Sequence, residues 1–128
     1  MPSPNLNKVF LIGRLTKDPE LRYTPSGQAV TTFRLATNRE YMTKEGKKEE
    51  TCYVTVVSWG KQAEVCAEYL KKGNLVFVEG RLQYRTWETQ EKEKRSTLEV
   101  RLENFQFLEK PQIDIVPETE GEGNGEET

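Results

Sequence analysis

Only one stretch of this chain carries its apolar residues at helical spacing. Within Lys61–Lys72, the residues Ala63, Cys66, Ala67 and Leu70 recur at i, i+3, i+4 and i+7, which is one face of an α-helix. Lys71 and Lys72 fall in the last turn of that stretch, where cations complement the helix dipole, and Gly73 supplies a C-terminal stop. The remaining patterned segments alternate with period two, the spacing of strands whose successive side chains point to opposite faces. A chain built this way belongs to the all-β class.

The alternating runs number five. Lys8–Leu15 is apolar and partly β-branched, and Gly13 inside it marks a bulge or a close backbone approach. Asp18-Pro19 and Thr24-Pro25-Ser26-Gly27 are turn signals that bracket a short segment around Leu21–Tyr23. Ala29–Asn38 and Thr51–Trp59 are the second and third strands, and the charged Met42–Glu50 between them reads as an exposed hairpin loop. Leu75–Trp87 is a long fourth strand that Gly80 invites to bend, Glu88–Arg95 a charged hairpin tip, and Ser96–Leu108 the fifth strand. Five strands with one short helix between the third and fourth is the order of an OB-fold, a small Greek-key barrel that binds oligonucleotides or oligosaccharides. Phe33, Leu35, Val54, Val56, Val76, Val78, Leu98 and Val100 are its expected core.

With 128 residues the chain fits one domain, expected over residues 1–110. Residues 111–128 are rich in Glu and Gly, lack the apolar surface to fold, and are expected to form a disordered acidic tail. Charge divides along the same line. Up to Leu108 there are 18 Lys and Arg against 14 Asp and Glu, whereas Glu109–Thr128 holds seven acids and one lysine. A mildly basic body beside an acidic tail points toward nucleic-acid contact. There is no histidine, which removes the commonest general base and metal ligand. Cys52 and Cys66 make neither a disulfide framework nor a metal site and read as small buried residues. The opening Met-Pro-Ser-Pro-Asn starts no apolar run of signal-peptide length, so a soluble intracellular protein is expected.

Both tryptophans stand at the end of an alternating run and beside positive charge. Tyr53, Thr55, Val57 and Trp59 share one face of their strand, as do Arg81, Gln83, Arg85 and Trp87. A ring next to a guanidinium on a polar face suits stacking of a nucleic-acid base while its phosphate is neutralised. The alternative is that both rings are ordinary strand-end packing residues.

Asn7–Leu15, Asp18–Tyr23 with Pro25 and Gly27, Leu35-Ala36-Thr37, Trp59-Gly60-Lys61, Ala63-Glu64-Val65, Glu68–Gly73 and Val78–Leu82 leading to Trp87 together resemble the bacterial single-stranded-DNA-binding protein family. The resemblance covers about residues 5–108 in order and spacing. It implies four stacking positions, matched here by Tyr41, Tyr53, Trp59 and Trp87, and basic contacts at Lys44, Lys61, Lys72 and Arg85. Many members carry Trp where this chain has Tyr41 and Tyr53, and often Phe where it has Trp59. It further implies a homotetramer that binds and protects single-stranded DNA, whatever its sequence, in replication, recombination and repair. Such a protein has no enzymatic activity, cofactor or metal, and works in the cytoplasm on the nucleoid. Replication and repair proteins are its further expected partners. In the family they are recruited by an acidic tail with an apolar tip, where this sequence reads Glu126-Glu127-Thr128.

Overall fold

The computed structural model describes residues 3–109, and the expected tail, residues 111–128, lies outside them. The elements in chain order are β1 (Val9–Leu15), β2 (Glu20–Tyr23), β3 (Ala29–Thr43), β4 (Gly46–Trp59), α1 (Gly60–Tyr69), β5 (Leu75–Glu88) and β6 (Lys94–Phe107). Hydrogen-bonded neighbours run β1-β5-β6-β4-β3, and β1 closes the ring on β3 through Arg14↔Ala36 and Leu15↔Leu35. That is a closed five-stranded barrel, an OB-fold, with α1 between the third and fourth of its strands. The short segment between the turn signals is a sixth strand, β2, laid antiparallel on the start of β3. β4 and β6 meet in parallel over two residue pairs, Val56↔Val100 and Val57↔Arg101.

Inward positions of the alternating runs fill the barrel. Leu15, Phe33, Leu35, Val56, Val76, Val78, Val100 and Leu102 form one cluster with Cys66 and Leu70 from the helix end of the barrel. Helix α1 is pinned there by polar contacts. The buried Thr31 hydroxyl donates to the Ala63 carbonyl at 2.7 Å, and Ser58 Oγ donates to Gln62 Oε1 at 2.9 Å. The helix ends at Tyr69, three residues before the expected Lys72, because Leu70 turns extended (φ −87°, ψ 143°) and drops its side chain into the core. Lys71 and Lys72 thus lie past the helix.

Two glycines let strands approach more closely than any side chain permits. A Cβ on Gly13 would stand 2.6 Å from the Ala36 carbonyl oxygen, at the β1–β3 closure. One on Gly80 would collide with the Arg101 carbonyl and sit 2.8 Å from Val100 Cγ1, where the β5–β6 register shifts. Both were legible as bend or close-approach positions.

Three expectations need correction. Met42–Glu50 is not a loop: β3 and β4 stay paired out to Thr43↔Gly46, and a tight turn at Lys44-Glu45 joins them. Arg39–Glu50 and Glu40–Lys47 ion pairs bridge the two strands there, so the charges read as loop composition are cross-strand partners. Leu98 is exposed rather than core, since it pairs with Tyr84 where the β5–β6 ribbon has left the barrel. Cys52 is exposed as well, opposite Thr37 on the outgoing β3–β4 ribbon, and Cys66 alone of the two thiols is buried. No helix among the described residues is long and apolar enough to cross a membrane.

Candidate nucleic-acid interface

The outward alternation of three long strands makes one surface. Thr55, Val57 and Trp59 from β4, Gln83, Arg85 and Trp87 from β5, and Thr97 and Glu99 from β6 line a groove of about 590 Å³. Val30 and Thr32 of β3, and Glu20, Arg22 and Tyr23 of β2, form its other wall. The two faces read from the sequence therefore converge, and both tryptophans stand on the groove rather than in the core. Trp87 also borders a second hollow lined by Tyr84, Lys94 and Arg95, which carries the surface onto the β5–β6 ribbon.

Each expected ring carries a guanidinium. Arg85 Cζ lies 4.5 Å from the Trp87 ring centre, Arg34 4.7 Å from Tyr53, Arg39 4.9 Å from Tyr41 and Arg101 5.1 Å from Trp59. Such contacts draw the cation to the ring face and steady the ring. Arg34, Arg39 and Arg101 were missed in the sequence. Arg39 stands two residues from Tyr41, the same spacing as Arg85 and Trp87, and was within reach of pattern reasoning. Arg34 and Arg101 reach their rings across strands, one step from Ala36↔Tyr53 and from Val57↔Arg101, and only register reveals them.

The expected residues do not all meet. Tyr53, 55% exposed, shares the outward face of β4 with Thr55, Val57 and Trp59. Tyr41 pairs with Lys48 and falls in the alternation of Phe33, Leu35 and Arg39, on the opposite face of the β3–β4 ribbon. Lys44, Lys61 and Lys72 are exposed at the β3–β4 turn, the first turn of α1 and the segment after the helix, outside the residues that line the groove. The Lys72 backbone N–H donates to Asp18 Oδ1 at 2.8 Å.

Arg85 differs from a free cation. Its Nε donates to both oxygens of Glu99 at 3.1 Å and its Nη2 to Oε2 at 2.9 Å, which raises its pKa, chiefly through these hydrogen bonds. The Glu99 side chain is 4% exposed, so this is a nearly buried carboxylate inside the groove. Glu99 too was missed, because its burial depends on the wall that β4 and β5 build around it. Among the described residues no group of three or more His, Cys, Asp or Glu is placed to hold a metal ion.

A closed OB barrel whose outward face aligns rings and guanidinium groups along a groove defines a class of oligomer-binding β-barrel proteins. The model of the single-strand binding protein family matches residues 6–108, and the chain belongs to that family. It is 52% identical over 104 residues to single-stranded DNA-binding protein A of Bacillus subtilis, covering 81% of this chain and 60% of that protein. Against the single-stranded DNA-binding protein of Enterococcus faecalis it is 49% identical, covering 81% and 55%. The chain thus spans about 60% of the length of the first of these relatives. Among solved structures, a deletion mutant of the single-stranded DNA binding protein from Thermus aquaticus superposes with a TM-score of 0.71 at 44% identity, covering 82% of this chain and 51% of that one. A Plasmodium falciparum SSB complex with ssDNA gives 0.76 at 30% identity, covering 85% and 100%.

Proposed function

We propose that this protein binds and protects single-stranded DNA irrespective of sequence, by stacking bases on Trp59, Trp87 and Tyr53 while cations neutralise phosphates. The observation that carries the reading is the outward face that holds the groove: Trp59 and Trp87 line the groove, Tyr53 stands further along the same face of β4, and each ring has a guanidinium against it. Every base offers a π-face and all phosphates are alike, so sequence tolerance follows from the chemistry. Lys44, Lys61 and Lys72 extend the path beyond the groove, along the β3–β4 ribbon and past the helix, and Tyr41 meets the strand where it crosses to the other face of that ribbon. The matched single-stranded DNA-binding protein A and the SSB complex with ssDNA support the same substrate.

The folded unit is residues 1–110, followed by an acidic tail over 111–128. The working form is a homotetramer, supported by the family and by Phe10 and Ile12, which stand 61% and 56% exposed on the outer side of β1. Phe10 stacks on Phe77 of β5 with ring centres 6.1 Å apart, so this apolar strip continues across two strands. The role is coating of exposed strands during replication, recombination and repair, in the cytoplasm on the nucleoid, alongside replication and repair enzymes. Binding, not catalysis, is the activity, with no cofactor or metal.

Titration of tryptophan fluorescence with oligo(dT), against duplex DNA of equal length, tests the reading. Strong quenching by the single strand and little by the duplex is the expected result; equal binding of both would overturn it. Cleavage of labelled single strands in magnesium or manganese, lost on mutation of acidic residues, would instead make the protein a nuclease.

A further inference from the structure

The ring–guanidinium pairs in and beside the groove are not electrically alike. Arg85 on Trp87 spends its Nε and Nη2 hydrogens on Glu99 in three contacts of 2.9–3.1 Å, and the pair is neutral. Glu99, with 4% of its side chain exposed, is held there, because breaking the pair would strand a buried charge. Arg101 on Trp59 has no carboxylate partner among the described residues. Its one polar side-chain contact there is Gln83 Oε1 at 3.5 Å, the outer limit of a hydrogen bond. Burial and the nearby Arg81 both lower the Arg101 pKa, as befits a cation without a counter-ion. Arg34 on Tyr53 is likewise without a carboxylate among the described residues, whereas Arg81 and Arg39 have Glu103 and Glu50. A guanidinium lying flat on a ring keeps its full charge and its planar edge of N–H donors, the geometry that matches a phosphate.

We propose that the outward face around the groove separates charge from stacking: Arg34 and Arg101, which flank the groove lining beside Tyr53 and Trp59, take phosphates of the bound strand, while Arg85, neutralised by Glu99 inside the groove, is a brace that holds Trp87 for a base. This rests on the single-stranded-DNA reading above and reassigns the cation role within it, since the sequence placed that role on Arg85. The phosphate path then runs over the β4 side of the groove, beside Tyr53 and Trp59, and Trp87 meets a base without a phosphate clamp of its own.

The test is the slope of log affinity for oligo(dT) against log salt, measured on the whole chain. Arg101→Gln and Arg34→Gln should each flatten the slope by about 0.7, so that the affinity lost between 50 and 200 mM salt shrinks about 2.6-fold. Glu99→Gln frees Arg85 and should steepen the slope by about the same amount. The double variant Arg85→Gln/Glu99→Gln should weaken binding equally at every salt concentration and leave the slope alone. A wild-type slope in either single arginine variant, or a flattened one in the double variant, overturns the proposal. If an arginine variant does not fold, an unchanged slope in Glu99→Gln overturns it alone. Failure of the parent reading looks different: the unmodified protein would then not prefer oligo(dT) over duplex at any salt concentration.

Discussion

Trp59 differs from Trp87 in what surrounds its indole nitrogen. Trp87 is 40% exposed, whereas Trp59 Nε1 is enclosed and meets no acceptor among the described residues. A buried donor left unmet costs about 1–3 kcal/mol. Trp59→Phe should therefore keep most of the stacking and lose no stability, while Trp59→Ala and Trp87→Ala should each weaken oligo(dT) binding by about 1–3 kcal/mol. Fluorescence titration beside thermal melts checks both halves, and normal binding by folded Trp87→Ala would make that ring structural. The thiols make a second residue-scale case. Burial pushes Cys66 up to about 11, with a Ser58 hydrogen bond opposing it. Below pH 9 both folded and unfolded states keep the proton. Between about 9 and 11 the unfolded chain releases it first, so this contribution to stability is lost as pH rises, on the order of 2–3 kcal/mol in full. The stability gap between the wild type and Cys66→Ala should narrow over that window in urea melts. At pH 8, iodoacetamide should label Cys52 in the folded protein and spare Cys66. That Trp59 shares a face with Tyr53 and Trp87 with Arg85 was legible because strand alternation alone fixes which residues share a face. Glu99 and Arg101 were missed, because their roles depend on which strand lies beside them.

At the scale of elements, the same distinction governs what could be read. The one helix and the five barrel strands each follow from a local period, and their order followed with them. The reach of the ribbons did not. Met42–Glu50 looks like an exposed loop until Arg39–Glu50 and Glu40–Lys47 are seen as partners across a tight turn. Leu98 looks like core until β6 is known to extend past the barrel. Glycine at position 80 is the element-scale feature with the clearest penalty. Gly80→Ala sets a methyl group against the Arg101 backbone carbonyl and the buried Val100 side chain, and should cost about 1–3 kcal/mol in chemical denaturation. Because Arg101 would be displaced with it, the variant should also bind oligo(dT) less tightly at low salt. A stable, tightly binding Gly80→Ala would show that the ribbon slides freely at this point.

For the molecule as a whole, folding and binding should reside in the barrel. Removing residues 111–128 takes away an acidic, Glu- and Gly-rich stretch, so residues 1–110 should keep the proposed oligomer and bind oligo(dT) as well as the whole chain, or somewhat better at low salt. Light scattering and titration of the two forms decide it; a lost oligomer or a large fall in affinity would place those residues in the working structure. Glu109 should stay in the shortened form, since both its oxygens accept from Arg14, at 3.0 and 2.8 Å. The barrel has two thin seams of two residue pairs each, the β1–β3 closure and the parallel meeting of β4 and β6. The groove straddles the β4–β6 seam, with Thr55, Val57 and Trp59 on one side and Thr97 and Glu99 on the other. A bound strand is then a stitch as well as cargo. Amide exchange at Val57 and Arg101 should slow on adding oligo(dT) more than exchange at the β1–β5 pairing, and the barrel should be hardest to open while it is loaded.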